Sequence, residues 1–406
     1  MKILFIVDGS LGNPILLSQG FPAMRRNARR GAEFVVLSFE SEHAFAAEPG
    51  LRERYANALE IVSSFGEARP LFLRNDGSKI RRALRLAEIA TRGARTANEL
   101  IRERGIDVVH CRSNLPALVG ARAARGTTAK VLFDNRGLFS EEARLRGDRL
   151  RAAAERRNER RLLLRADATV VVSNAFRDYV ADAYDLPQSA IDKVVVIPNG
   201  FAKERFDYAE ADRKRLKNDR FGKRIVVAYA GAVASWHMFS ETVEAFIRLR
   251  AKRPDAFFLV LTHQGERAKE ALHQTAATSD EYLVAEAYGD DYGCLLSLAD
   301  FGFSFRIRDV VSRVSAPIKF GEYLAAGLPV LLSPEIGDTE AIARENRLGV
   351  VVRDHQSDLD RALDDMLALV GEKDTRARCR AYAENNLTVD QTAETYFRLY
   401  QKLAKQ

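Results

Sequence analysis

The chain has 406 residues, 47% of them hydrophobic and 29% charged, with a net charge of +7 and a pI near 9.3. That length exceeds one ordinary core and points to two domains of roughly 200 residues each, while the composition excludes extensive disorder. The basic balance suits nucleotides, phosphates, acidic lipid surfaces or nucleic acid without choosing among them, and the scattered Cys111, Cys294 and Cys379 suggest no disulfide framework or zinc spacing.

In chain order, "KILFIV" reads as a buried strand, too short an apolar run for a signal segment. No run approaches the ~18 apolar residues of a membrane span, and the scattered cysteines make a reducing, cytoplasmic setting the expectation. A polar loop, "DGSLGNPILLS", and an Arg-rich helical stretch precede "EFVVLSF". A long helix around 80–104 leads to "GIDVVHC", a short one to "AKVLFDN", a basic one to "DATVVVS", and another to "DKVVVIPNG". These Val-, Ile- and Leu-rich runs do not alternate and are separated by helices, the pattern of parallel strands covered on both faces.

Residues 201–224 are polar and aperiodic, and the expected domain boundary lies there. The alternation then restarts with "IVVAYAG", "AFFLVLTH", "YLVAEAY", "DFGFSF", "PVLLS" and "LGVVV", each followed by helical sequence. Residues 390–403 form an amphipathic helix with Tyr396, Leu399, Tyr400 and Leu403 on one side. The expected fold class is therefore α/β, with two doubly wound, Rossmann-like domains and a cleft between them.

Such sheets bind ligands at the carboxyl ends of their strands. In the first half those ends carry Asp8-Gly9-Ser10, His110 to Ser113, Asp134 to Gly137, Ser173 and Asn199-Gly200. In the second they carry Gly231-Ala232, Thr262-His263, Tyr288-Gly289 and residues 306–315, with Arg306, Arg308 and Arg313. Glycine admits close phosphate approach and arginine offers a fixed fork for its oxygens. Several of these residues also have a structural reading. Asp134 and Arg136 would pair with each other, His110 reads better as a satisfied core histidine, and Trp236 suits the core as well as a pocket wall.

The stretch "SRVSAPIKFGEYLAAGLPVLLS" reads as loop, short helix, stop and strand. Ser315 and Pro317 suit a helix entry and Gly327 its end. Lys319, Glu322 and Tyr323 share one face. That face is either a surface ion pair or a place where Lys319 and the helix N-terminus hold a diphosphate and Glu322 holds ribose hydroxyls.

"APIKFGEYLAAGLPVLLS" resembles the nucleotide-sugar motif of GT-B glycosyltransferases of the glycosyltransferase 4 family. "SQG", "HCRSN", "FDNRGLFSEEARLRG", "VVVSNAFRDYV", "VVVIPNGFAKERF", "YAGAVASWHMFSETVEAF" and "IGD" follow in that family's order, so the likeness spans nearly the whole chain. It implies a GT-B fold with an acceptor domain at 1–200, a donor domain at 201–387 and a C-terminal helix, 388–406, that crosses back to the first domain. It implies transfer, with retention, from a UDP- or GDP-type sugar to a saccharide or lipid-linked acceptor, with no cofactor and no essential metal. The implied donor-site residues are Gly231, Trp236, Arg313, Ser315, Ile318, Lys319 and Glu322. The implied acceptor residues are Gly12, Asn13 and Gln19, and the implied catalytic ones Asp134, Arg136 and Arg112. Two departures stand out. Val314 replaces the first member of the family's Glu pair, and the cations that usually follow the donor-domain glycine are absent around Ala232 and His237.

The basic segment "RLRGDRLRAAAERRNERRLLLR" suits an anionic membrane surface at the inner face of a bilayer, and equally a solvated face. The Ala- and Arg-rich composition fits a bacterial polysaccharide enzyme. The rivals are a nucleotide-sugar 2-epimerase of the same fold and a non-catalytic nucleotide-sugar or nucleic-acid binder. No aromatic platform accompanies the arginines, so no nucleic-acid partner is expected. Oligomeric state is not legible.

Overall fold

The computed structural model describes residues 1–73, 85–233, 235–286 and 289–405. It divides into two compact units, Met1–Pro198 with Val389–Gln406, and Asn199–Thr388.

The first unit is built on seven parallel strands: β1 (Lys2–Ile6), β2 (Glu33–Glu40), β3 (Gly66–Phe72), β4 (Val108–Arg112), β5 (Lys130–Asp134), β6 (Ala168–Val171) and β7 (Val194–Val196). Their order across the sheet is β3-β2-β1-β4-β5-β6-β7. The order reverses direction between β1 and β4, so a crevice opens at the carboxyl ends of those two strands. Nothing in the sequence of β3 predicts a strand. It is half-buried, carries Pro70, and lies at the sheet edge, where a missing N–H is tolerated. Part of the helix anticipated at 80–104 falls on residues 80–84, outside the described residues. The rest is helical, with a π-helical segment at Ile89–Gly93.

The C-terminal helix, Val389–Ala404, belongs to this unit. Tyr396, Leu399, Tyr400 and Leu403 lie at i, i+3, i+4 and i+7, and join Ile3, Phe5, Phe34 and Val108 in one core. Ion pairs from Arg26 to Asp390 at 2.6 Å and from Arg30 to Glu394 at 2.7 Å fix its start against the helix Phe21–Ala28.

The second unit has six parallel strands: β8 (Ile225–Ala230), β9 (Ala256–Leu261), β10 (Tyr282–Ala285), β11 (Phe301–Ser304), β12 (Val330–Leu332) and β13 (Gly349–Val351), ordered β10-β9-β8-β11-β12-β13. Here the reversal falls between β8 and β11. The stretch 201–224 is not irregular. It folds into a short 3-10 turn, Lys203–Phe206, and a helix, Glu210–Phe221, anchored by Phe201, Phe206 and Phe221 in the core. Three apolar anchors spread over so many charged positions are too sparse to show a period.

The helix Ile318–Ala325 is pinned to this switch point by Tyr323. Its hydroxyl accepts from the Ala230 N–H at 2.7 Å, at the end of β8, and donates to the Phe303 carbonyl at 3.0 Å, in β11. Gly302 makes room for the ring, because a Cβ there would sit 2.5 Å from it. The helix starts later than the sequence suggests. Pro317 occupies the cap position and Ser315 does not cap it. Instead Asp309 caps the one-turn helix Val310–Arg313 by accepting from the Ser312 N–H at 2.6 Å, and the Ser315 hydroxyl donates to the Ser312 carbonyl at 2.8 Å. Gly327 ends the longer helix at φ +78°, a left-handed conformation that favours glycine.

Candidate active site

In the second unit, the residues around the β8–β11 switch form one polar cluster. Lys319 and Glu322 pair at 2.7 Å, as their spacing on one helix face requires. The pair is not a surface one, for Glu322 is only 3% exposed. Tyr292, on the helix Gly289–Ser297, donates its O–H to Glu322 at 2.9 Å and accepts from the Lys319 ammonium at 3.0 Å. Burial first, then the neighbouring Glu322 carboxylate, hold the Tyr292 phenol well above its ordinary value, so it stays protonated. Arg205 comes to 3.9 Å from the other carboxylate oxygen and lies over the Tyr292 ring. Glu322 is thus surrounded by protein donors, and Lys319 is held by two groups.

Gly231 follows β8. A Cβ there would lie 3.3 Å from the Tyr229 hydroxyl and 3.8 Å from His237 Nδ1. The Ala232 carbonyl accepts from Tyr229 at 2.6 Å and lies 3.0 Å from His237 Nδ1, which fixes this loop. Burial, then the nearby Arg306 charge, lower the His237 pKa, so the ring is neutral at pH 7. Arg306, just past β11, acts electrostatically on both Tyr229 and His237. Its backbone N–H is taken by Ser333, yet its guanidinium meets no hydrogen-bond acceptor among the described residues. A half-buried guanidinium without an acceptor is an anion site in waiting. In the sequence Arg306 is one of three loop arginines. The strand order shows that it, with Lys319, supplies cations beside Gly231, where the loop after β8 has none. Trp236 is 55% exposed, and its carbonyl accepts from the Ile307 N–H at 3.3 Å, so its backbone is tied to the Arg306 loop. Arg313 is exposed, and Ile318 packs partly into the core below. Tyr288 lies outside the described residues.

In the first unit, Asp134 ends β5 and is fully buried. The parallel register sets it opposite Arg112 of β4. One carboxylate oxygen lies 3.1 Å from His110 Nε2 and 3.4 Å from Arg112, and the other lies 2.8 Å from Arg136 Nε. Burial alone would raise the Asp134 pKa. The Arg136 charge, the His110 hydrogen bond and the Arg112 charge outweigh it and hold the carboxyl well below the usual range. His110 Nδ1 is 2.6 Å from the Tyr400 hydroxyl, and Arg136 donates to the Tyr396 hydroxyl. Burial, only partly offset by Asp134, lowers the His110 pKa. The neutral ring then donates Nε2–H to Asp134 and accepts from Tyr400. Two tyrosines of the C-terminal helix thereby close the cluster. Tyr396 and Tyr400 read in the sequence as packing residues alone, because nothing local announces their hydroxyl partners.

The three acceptor candidates separate. Gln19, in a π-helical segment, Leu16–Gly20, accepts from Arg112 at 3.3 Å and so joins the cluster. Asn13 accepts from the Ile15 N–H at 2.9 Å and shapes the loop after β1. Gly12 is a packing position, since a Cβ would meet the Tyr55 backbone nitrogen at 2.7 Å. Next to Asp134, the buried Asn135 amide has no hydrogen-bond partner for either end among the described residues. Among the described residues no group of three or more His, Cys, Asp or Glu side chains is placed to hold a metal ion.

No curated protein matches the chain by sequence. Residues 24–205 match the profile of Glycosyltransferase Family 4. Among solved structures, Anabaena HepE in complex with UDP is similar at TM-score 0.72 and 16% identity, covering 99% of this chain and 100% of that one. A glycosyltransferase from Rickettsia africae is similar at TM-score 0.71 and 17% identity, covering 100% and 98%. Sucrose-phosphate synthase from Thermosynechococcus elongatus is similar at TM-score 0.71 and 16% identity, covering 99% of each chain. By fold the chain is a GT-B protein, and its residues 24–205 are similar in sequence to glycosyltransferase family 4.

Proposed function

We propose that this protein is a retaining glycosyltransferase that moves a sugar from a nucleoside-diphosphate sugar to a hydroxyl of a saccharide or lipid-linked saccharide. The observation that carries the reading is the pair of cations, Arg306 and Lys319, at the β8–β11 switch beside Gly231. One cation meets no acceptor among the described residues, and the other is oriented by Tyr292 and Glu322. The complexes of HepE with UDP and UDP-glucose support a uridine-type donor.

The chemistry follows from where charge develops. The bond from the sugar anomeric carbon to the diphosphate oxygen breaks and a bond to the acceptor oxygen forms on the same face. The acceptor proton passes to the departing phosphate. Preorganised cations stabilise the leaving diphosphate as its charge grows. Arg306 and Lys319 fill that role, with the exposed Arg313 at the rim. Asp134 is a poor proton acceptor, because its carboxyl is already held by three nitrogens. In this reading it is a positioning residue that aims Arg112 and Arg136, and Arg112 with Gln19 meets the acceptor.

The test is a thermal-shift screen of the purified chain against UDP, GDP, ADP and CMP, followed by a donor-hydrolysis screen across nucleotide sugars. One nucleotide should stabilise wild type clearly and Lys319→Ala weakly. Silence from all four would end the donor-site reading. Interconversion of a UDP-sugar without any acceptor would replace transfer with 2-epimerisation.

A further inference from the structure

The helices Phe139–Leu145 and Arg149–Arg165 meet at a tight elbow turned by Gly147 at φ +79°. Asp148 caps the second helix by accepting from the Arg151 N–H at 3.0 Å. Two Arg-Leu-Arg triplets flank the turn, Arg144-Leu145-Arg146 and Arg149-Leu150-Arg151. Leu145 is 51% exposed and Leu150 88% exposed, and all four arginines are exposed. A single exposed leucine needs no explanation. Two on one exposed turn, each set between arginines, form a repeated pattern that burial does not explain.

Charge distribution singles out the same segment. Residues 139–165 hold nine arginines against five acids, a surplus of four in a chain whose whole surplus is seven, with Arg144, Arg146 and Arg151 paired to Glu141, Glu142 and Glu155. One of those acids, Glu159, is buried and accepts from Ser140, Tyr184 and Asn114, so it does not offset the surface. Arg149, Arg157, Arg161 and Arg165 have no ion-pair partner among the described residues. The elbow also stands on the carboxyl edge of the sheet. Asn114, after β4, donates to Glu155 at 3.0 Å, and Arg151 and Glu155 act electrostatically on Asp8, after β1.

We propose that this elbow is a docking surface for an anionic lipid bilayer, with Leu145 and Leu150 inserted at the headgroup level and the arginines on lipid phosphates. Apolar side chains at a tip ringed by cations are what interfacial binding uses, since burial and charge attraction add. A nucleic-acid partner would use the arginines and leave the leucines idle. The inference does not depend on the transferase reading, because vesicle binding is measured without donor or acceptor.

The experiment is co-sedimentation of the full chain with vesicles of pure phosphatidylcholine and of phosphatidylcholine with roughly one-third phosphatidylglycerol. Wild type should partition to the anionic vesicles and be released by high salt. Leu145→Ser/Leu150→Ser should lose tenfold or more in affinity. Arg146→Gln/Arg149→Gln should lose roughly five-fold per arginine. A charge-matched control in the other unit, Arg347→Gln/Arg353→Gln, should bind as wild type. All these side chains are exposed, so the variants should keep the wild-type melting temperature. A fluorophore at Leu150→Cys should shift to the blue with anionic vesicles. Equal binding by the leucine variant, an equal loss in the control, or retention of single-stranded RNA with no vesicle binding would each overturn the proposal.

Discussion

The Lys319 ammonium lies 4.4 Å from the centre of the Tyr292 ring and 3.0 Å from its hydroxyl, while that hydroxyl donates to Glu322 at 2.9 Å. The tyrosine therefore aims the lysine rather than merely packing beside it. Tyr292→Phe keeps the ring and removes the bridge. Nucleotide affinity should fall about three- to tenfold, the ~1 kcal/mol of one hydrogen bond. Lys319→Ala should lose more. Isothermal titration with UDP decides; unchanged affinity in Tyr292→Phe would leave Lys319 oriented by Glu322 alone.

Arg306 combines partial burial with a guanidinium that meets no hydrogen-bond acceptor among the described residues, so its burial is uncompensated there and a bound anion would offset it. Arg306→Met should therefore separate two quantities that usually fall together. The melting temperature without ligand should hold or rise, and the thermal shift produced by UDP should largely vanish. A lower ligand-free melting temperature with an intact UDP shift would make Arg306 a structural residue.

His110 and Asp134 give pH signatures of the same sign in different windows, because both pKa values are lowered in the fold. The folded His110 pKa lies below 6.5, so the unfolded chain takes up the proton first as pH falls. Stability from this group is complete above pH 6.5 and drains away below it. The slope approaches at most ~1.4 kcal/mol per pH unit. His110→Gln should flatten that part of the stability profile, although losing the Tyr400 contact lowers the whole curve by about 1–3 kcal/mol. Asp134 has a folded pKa below its ordinary 3.8, so its contribution is present above pH 3.8 and disappears only in stronger acid. Asp134→Asn should destabilise the unit by about 3–5 kcal/mol at pH 7, because Arg112 and Arg136 lose their buried counter-charge. Urea titrations at several pH values measure both. A histidine variant with the wild-type slope would mean that His110 is not the titrating group.

Long apolar strands and their helices are legible in the sequence because burial on both faces leaves an uninterrupted Val, Ile and Leu run. β3 is not, since an edge strand needs neither that run nor every N–H. Lys319 and Glu322 are readable as a pair from helix spacing alone. Tyr292, Arg306, Tyr396 and Tyr400 become part of their clusters only through strand order and through contacts as distant as the 290 positions between His110 and Tyr400. Pattern carries local geometry, and a single sequence holds no signal for which distant hydroxyl meets which ring.

Gly293 gives the last prediction. A Cβ at this position would sit 1.6 Å from the Arg205 carbonyl oxygen and 3.3 Å from the Phe206 ring. The helix Gly289–Ser297 and the turn Lys203–Phe206 touch there backbone to backbone, and this contact brings Arg205 over Tyr292 and toward Glu322. Gly293→Ala must push the two elements apart. The expected penalty is that of overpacking, about 1–3 kcal/mol or more. If the close approach also sets the Lys319 geometry, nucleotide affinity should fall with it, although residue 293 is no ligand itself. Chemical denaturation and UDP titration of the same sample test both halves. Loss of stability with full UDP affinity would show that Tyr292 and Glu322 hold Lys319 without help from Arg205.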